Sequence, residues 1–275
     1  MLWCVRGRSC VRRGAFVLST SLQGLRPEAD YALRARAVLL SRPGPTWASH
    51  HAALAISELP LVACDLTRFD VCAQIRAPHR RGVVRTHPLP AGEEPLVVKG
   101  ARSVTTETAL AQVAARSGVK GVLPAIDAAL HSDLVTVAGV RASAERLELG
   151  STAQGRLDRA LALADPQAES PGESLARLLV TSLGLAVRSQ VRICDDLGLI
   201  GRVDFLVGHK VVVEFDGLVK YEGALGREAL AAEKRREDRL RAAGYEVVRL
   251  TWADLDRPAH VARLVREAVA RAGAR

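Results

Sequence analysis

Between Pro27 and Leu40 apolar residues recur every three or four positions, with Ala29, Leu33, Ala37 and Leu40 on one stripe. This predicts an amphipathic helix opened by Pro27 and stopped by the Ser41–Pro45 run SRPGP. Ahead of it, RRGAFVLST predicts a short strand or hairpin arm that turns at Gly14. SHHAALAISEL predicts a second, short helix. From 61 to 100 the runs LVACDL, DVCAQIR and VVRTH, broken by Pro78, Pro88, Pro90 and Pro95, predict a small antiparallel sheet. Helical periodicity returns from Val104 to about Ala164 in TTETALAQVAARS, VLPAIDAALHS and QGRLDRALALA, three helices with no catalytic constellation. The stretch ADPQAESPGES, rich in Pro, Gly and Ser, is the expected boundary. The chain is thus read as a basic opening over 1–20, a mixed region over 21–165 and a C-terminal domain over 166–275.

That last part follows the order helix, strand, strand, strand, helix, strand, helix, which predicts a mixed sheet covered by helices and places the protein in the α/β (α+β) class. Ser170 precedes Pro171 and an apolar run (Leu175, Leu178, Leu179, Leu183), so it is a natural N-cap with Pro171 at the first helical position. AVRSQVRIC alternates Val187, Ser189, Val191 and Ile193 with Arg188, Gln190 and Arg192, the period of a half-buried strand. IGRVDFLV and VVVEFDG flank Gly208, His209 and Lys210 and predict a hairpin. Loop length fixes its register. A three-residue loop sets Val207 opposite Val211, and counting back puts Asp204 opposite Glu214 and Arg202 opposite Asp216. A two-residue loop would turn Asp204 to the other face. The three-residue loop is the expectation. A long polar helix then runs to Gly244, and a strand runs from Tyr245 to Thr251.

Charge sharpens this picture. Lys and Arg number 39 against 30 Asp and Glu, a net charge of +9 that favours a polyanionic partner. The excess is uneven, about +7 over 1–165 and about +2 over the rest. Five cysteines, widely spaced and without a C-x-x-C pair, offer no zinc or redox pattern and fit a reducing cytoplasm. Arginines interrupt the first twenty residues where a signal peptide needs an apolar run, and no later stretch is long and apolar enough to span a bilayer, so a cytoplasmic protein without a membrane partner is expected.

Two carboxylates side by side on a half-buried strand pair repel, and desolvation adds to the cost, so Asp204 and Glu214 call for a cation. Arg202 and Arg249 could supply it. A hard divalent ion, Mg²⁺ or Mn²⁺, could equally do so, held by one or two carboxylates with water and a phosphate completing its shell. Glu173 has a plain reading as the third residue of a capping box begun by Ser170, and a second reading as a further acid at the metal. Lys220 lies four residues past Asp216 at the mouth of the same strand, while Lys234, Arg235, Arg236 and Arg239 lie on a helix whose Glu233 and Asp238 can pair with them as ordinary solvated charges. His50 and His51, at the start of a helix, are read as capping or packing residues. Trp3, Trp47 and Trp252 are read as core rather than as base-stacking platforms.

SPGES, SQVRI, GRVDFLV, VVVEFDGLVKY, the EKRRED helix and GYEVVRLTWADL, in that order over roughly the last 105 residues, resemble a domain related to the very-short-patch-repair (Vsr) endonucleases of the PD-(D/E)XK superfamily. The resemblance implies a restriction-endonuclease-like fold, a divalent-metal-dependent endonuclease acting on DNA, Asp204 and Glu214 as the first and second metal-binding acids, and Glu173 as the acid of the preceding helix. The superfamily pattern has Lys two residues after the second acid. Asp216 stands there instead, which makes it a further metal ligand and leaves Lys220, Lys234 or Arg235 to provide the positive charge, or else leaves a domain that only binds. More weakly, RRGAFVLS, ALRARAVLL, SHHAALAISELPL, VVRTHPLP and SVTTETALAQVA resemble AbiEi-type antitoxin-like proteins, which begin with a winged helix-turn-helix whose wing is similar to RRGAF. Residues 1–20 would then be a wing remnant. Gln190, Arg202, Lys234 and Arg235, with Arg12 and Arg13 in the opening, are the candidates for contact with DNA. The competing expectation is a DNA-binding antitoxin or repressor whose nuclease-like domain is catalytically degenerate, and the third is a plain interaction module.

Overall fold

The computed structural model describes residues 7–42, 44–217 and 223–274, without the side chains of 223–227, 229 and 230. The chain forms two compact units, Met1–Pro166 and Gln167–Arg275, that divide inside ADPQAESPGES. Both belong to the α/β class, with helices laid on mixed sheets.

The N-terminal unit opens with a hairpin of β1 (Arg8–Arg12) and β2 (Ala15–Leu18), which turns where Gly14 takes a φ of 83° that a side chain would disfavour. Helix α1 (Pro27–Leu40) has Pro at its first position, as its sequence predicts, but a different face is buried. Tyr31, Ala35 and Val38 enter the core, whereas Leu40 is 86% exposed. The helix is apolar around most of its girth, so periodicity left two stripes to choose from, and Tyr31 decides the matter by stacking on Phe69 at 5.1 Å between ring centroids.

Beyond it come β3 (Thr46–Ala48), α2 (His50–Ile56), β4 (Phe69–Ala73), β5 (His79–Arg81), β6 (Val84–Pro88), β7 (Leu96–Val98) and β8 (Ala101–Ser103). The six strands make one sheet in the order β5-β6-β4-β3-β8-β7. The small antiparallel sheet expected for 61–100 is therefore corrected: β4 runs parallel to β6 and β3 parallel to β8, and LVACDL contributes no strand. Strand β5 folds back antiparallel on β6, which lets β6 return beside β4 in its own direction.

Helix α3 (Thr106–His131), capped by the Thr105 side chain, joins the first two helices predicted after Val104 across a break at Gly118, where φ is 68° and ψ is −172°. Helices α4 (Val137–Arg146) and α5 (Ser151–Ala162) follow. Of these, α4 goes unpredicted because its few apolar positions are mostly alanine and its buried residues are only Val140, Ser143 and Ala144. The core joins α1, α2, α3 and α5 through Val38, Leu54, Ile56, Leu110, Ile126 and Leu157.

The C-terminal unit has the predicted order: α6 (Pro171–Thr181), β9 (Val187–Asp195), β10 (Gly198–Val207), β11 (Val211–Phe215), α7 (Gly223–Ala242), β12 (Glu246–Leu250), then a short α8 (Trp252–Leu255) and α9 (Pro258–Gly273). Its sheet runs β12-β11-β10-β9, antiparallel except for the parallel pair of β11 and β12. Gly244, at φ 81°, ends α7 and turns the chain into β12. One side of the unit packs Leu240 of α7 on Val203, Leu206 and Val212. Trp252, expected in the core, is 42% exposed and meets Phe215 edge-on at 5.2 Å.

Candidate functional site

The β10–β11 hairpin has the three-residue loop: Val207 faces Val211, Leu206 faces Val212 and Phe205 faces Val213. One step further sets Asp204 opposite Glu214. The ladder stops there, because an Asp204 carboxylate oxygen takes the place of a backbone acceptor and receives the N–H of Phe215 at 2.8 Å. The next expected pair, Arg202 with Asp216, does not form. Asp216 donates its N–H to Leu250 O at 2.7 Å, and Arg202 pairs with Glu169 at 2.7 Å. The reason is that β11 leaves β10 to follow β12 in parallel.

Glu173 is held in the first turn of α6. The Ser170 hydroxyl accepts its N–H, as a cap requires, but its own carboxylate receives the N–H of Glu169 rather than that of Ser170. The same oxygen, Oε2, also accepts from the Gln190 side-chain amide at 2.9 Å. Gln190 sits in mid-strand at φ 51°, a left-handed conformation that costs a non-glycine residue about 1 kcal/mol or more. It stands at the β9 position that would face Asp204, between the ladder pairs Val191–Val203 and Ser189–Phe205. The backbone is thus bent beside the acids, and Gln190, expected to touch DNA, spends its amide on positioning Glu173.

Glu214, buried to 9% exposure, is answered by a cation that the charge pattern did not single out. Arg236 of α7 donates to Glu214 Oε1 at 2.6 Å and to the carbonyl of Arg202 at 2.8 Å. Arg249, expected to neutralise the acids, is 3.8 Å from Glu214 and binds Glu233 and Glu237 more closely. Gly201 leaves room for this arrangement, since a Cβ there would stand 2.6 Å from Arg236 Nε. Helical spacing carried the signal: Arg236 lies one turn before Leu240, the residue by which α7 enters the core.

Burial, with the Glu173 and Glu214 carboxylates adding to it, pushes the Asp204 carboxyl up to about 6 against the opposing Phe215 N–H and Arg236. Three carboxylates, Glu173, Asp204 and Glu214, thus have one guanidinium at hydrogen-bond distance, that of Arg236 on Glu214. Carboxylate oxygens from two adjacent strands and a helix, with charge in excess, fit a hard dication such as Mg²⁺ or Mn²⁺. They are not gathered around one point, however: among the described residues the acids Glu173, Asp204 and Glu214 do not bring their ligand atoms within 4.8 Å of one another. Each is drawn toward its own donor, Gln190, Phe215 N–H or Arg236. Asp216 is half-buried at the end of β11, Lys234 and Arg235 are exposed on α7, and Lys220 lies outside the described residues.

Two features of the N-terminal unit escaped the sequence. A cavity of about 720 Å³ is lined by Arg36, Arg42, Arg102 and the backbone near Gly44 and Gly100. Arg42 Nε is buried there without a hydrogen-bond partner, and burial, then the neighbouring Arg12, hold its pKa below the usual value. Arg12 itself reaches Ser41 Oγ, while Arg13 is exposed at the hairpin turn. The second feature involves His50, expected only to cap or pack. His50, Asp70 and His87 bring ligand atoms within 4.8 Å of one another. Arg116, from a helix expected to carry no chemistry, binds the same Asp70 oxygen as His87. His51 is buried beside Ser117, as a packing residue would be.

No described helix is long and apolar enough to cross a membrane. Comparison with protein-family models, with curated proteins and with solved structures found no match to this chain.

Proposed function

We propose that the C-terminal unit is a divalent-metal-dependent endonuclease that hydrolyses DNA phosphodiester bonds, as the resemblance to the Vsr-related domains implies. The observation that carries this reading is Asp204: a half-buried carboxyl raised to about 6 between two further acids, on the strand pair whose register was expected to present them. A structural ion pair is expected to balance its charges, whereas this cluster keeps a surplus of negative charge. Mg²⁺ or Mn²⁺ would be held by Asp204 and Glu214, with Glu173 and Asp216 within the same set, and would lower the pKa of a bound water and neutralise charge on the phosphate. The chain supplies the rest. Gln190 and the Glu169 N–H fix the Glu173 carboxylate, the Phe215 N–H fixes Asp204, and Arg236 takes the part of the missing lysine as a guanidinium fixed 2.6 Å from the second acid.

Purified protein incubated with plasmid, short duplexes and single strands should cleave in Mg²⁺ or Mn²⁺ and not in EDTA, and Asp204→Asn and Glu214→Gln should abolish cleavage while DNA binding persists. Absence of metal-dependent cleavage on all three substrates would refute this reading. The alternative, a DNA-binding antitoxin or repressor-like protein with a degenerate nuclease fold, is favoured by a specific observation: every acid of the cluster already has a protein donor, and the three are not drawn together. It predicts Asp204→Asn binding DNA as well as wild type, with neither protein cutting it. Under both readings the arginine cavity suits a backbone phosphate, because Arg36, Arg42 and Arg102 line it and Arg42 has the like charge of Arg12 beside it.

A further inference from the structure

We propose that His50, Asp70 and His87 form a binding site for a divalent transition-metal ion of the Zn²⁺ class in the N-terminal unit. The site is assembled from three elements. His50 is the first residue of α2, Asp70 lies on β4 and His87 on β6, where the parallel register sets Asp70 beside Arg85 and Cys72 beside His87. The two imidazole rings are 4.4 Å apart between centroids, and one ligand atom from each of the three residues falls within 4.8 Å of the other two. Two imidazoles and one carboxylate are a donor set for Zn²⁺, Co²⁺ or Fe²⁺ rather than for Mg²⁺, which prefers oxygen alone.

The supporting contacts are those a metal site needs. His50 Nδ1 is within hydrogen-bond distance of Ser49 Oγ, 3.1 Å, which fixes the ring and leaves Nε2 for a ligand role. The backbone at His50 is left-handed, φ 51°, and its N–H is tied to Gln112 Oε1 at 3.0 Å. A helix start built for packing alone has no need of that strain. His87 Nε2 meets Asp70 Oδ1 at 2.8 Å, a contact in which an ion can replace the bridging proton. Access comes from a cavity of about 570 Å³ lined by His50, His87, Gln112, Arg116 and Arg146.

Two arginines oppose the ion. Arg116 Nη1 lies 2.7 Å from Asp70 Oδ1 and Arg85 Nη1 lies 4.0 Å from Oδ2. They limit affinity for a cation but do not close the site. The Arg116 side chain is about one-third exposed and opens onto the cavity. There it can remain as an outer hydrogen-bond partner of the carboxylate, or turn to face an anion on the coordination position that the protein leaves open.

The test uses the full chain, stripped with a chelator and titrated with Co²⁺. One equivalent should give the intense visible d–d absorption of a four- or five-coordinate ion, Zn²⁺ should displace it, and added Zn²⁺ should raise the melting temperature. His87→Gln can keep a hydrogen bond to Asp70 and should lower Co²⁺ affinity by more than about 10-fold, and His50→Gln likewise. Asp204→Asn should leave the Co²⁺ spectrum unchanged, which separates this site from the acid cluster of the C-terminal unit. Wild-type protein that gives no Co²⁺ spectrum and no Zn²⁺-dependent rise in melting temperature overturns the proposal. So does a spectrum that survives both histidine substitutions in folded protein. Either result would leave the cluster as a hydrogen-bond network around Asp70.

Discussion

At the scale of single residues, Asp204 links stability to chemistry. Its carboxyl is raised from 3.8 to about 6, so the folded chain holds that proton more tightly than the unfolded chain. For an acid shifted upward, the stabilising contribution is full below the unfolded value and is lost as pH rises through about 6. Asp204→Asn removes the penalty and can still accept the Phe215 N–H. In metal-free protein the variant should therefore match wild type near pH 4 and be more stable at pH 8, by no more than about 3 kcal/mol. Urea denaturation at the two pH values measures this; equal stabilities at pH 8 would mean that Asp204 is not strained by charge. Glu173→Gln asks a different question, since glutamine can still accept the Glu169 N–H but brings no charge. Unchanged stability with lost cleavage would place Glu173 among the metal ligands, and full cleavage would confine it to the cap.

At the scale of elements, two glycines set how closely helices approach the sheet. A Cβ at Gly172 would lie 1.9 Å from the Phe215 ring, which is itself packed against Trp252. Gly172→Ala must displace this partly buried aromatic ring and should cost about 1 to 3 kcal/mol, read from denaturant midpoints. Because the Phe215 N–H is the donor to Asp204, cleavage should fall with stability. Gly201 meets only the end of a flexible side chain, Arg236. Gly201→Ala should therefore move the guanidinium off Glu214 and, because that leaves a buried carboxylate short of its donor, cost about 1 to 3 kcal/mol. Turnover reduced beyond that loss of stability is the expected result, and an unchanged rate would remove Arg236 from the machinery.

At the scale of the whole molecule, each unit has its own sheet and its own buried cluster. The fragment 167–275 should therefore fold alone and melt cooperatively by far-ultraviolet circular dichroism. The basic surplus lies in the other unit, and so does the arginine cavity. Neutralising Arg12, Arg13 or Arg42 should weaken DNA binding about equally on all sequences. Each loss of a phosphate contact should flatten the dependence of log K on log salt by about 1. An unaltered slope in all three variants would exclude this face from the interface.

Features governed by short-range interactions are legible along the chain. Residue spacing within one hairpin narrowed the register to two loop lengths, of which the three-residue loop that sets Asp204 opposite Glu214 is the one observed; Ser170, Pro171 and Gly244 marked helix ends; and ADPQAESPGES marked where the chain divides. Which donor each acid takes depends instead on long-range packing. Arg236 reaches Glu214 across 22 positions because α7 lies on the sheet, and Arg202 misses Asp216 because β11 turns aside to follow β12. The same holds for the histidine cluster, whose members at 50, 70 and 87 meet through a parallel pairing of β4 and β6. A parallel pair has no turn of its own to fix its register, so periodicity along the chain carries no trace of it.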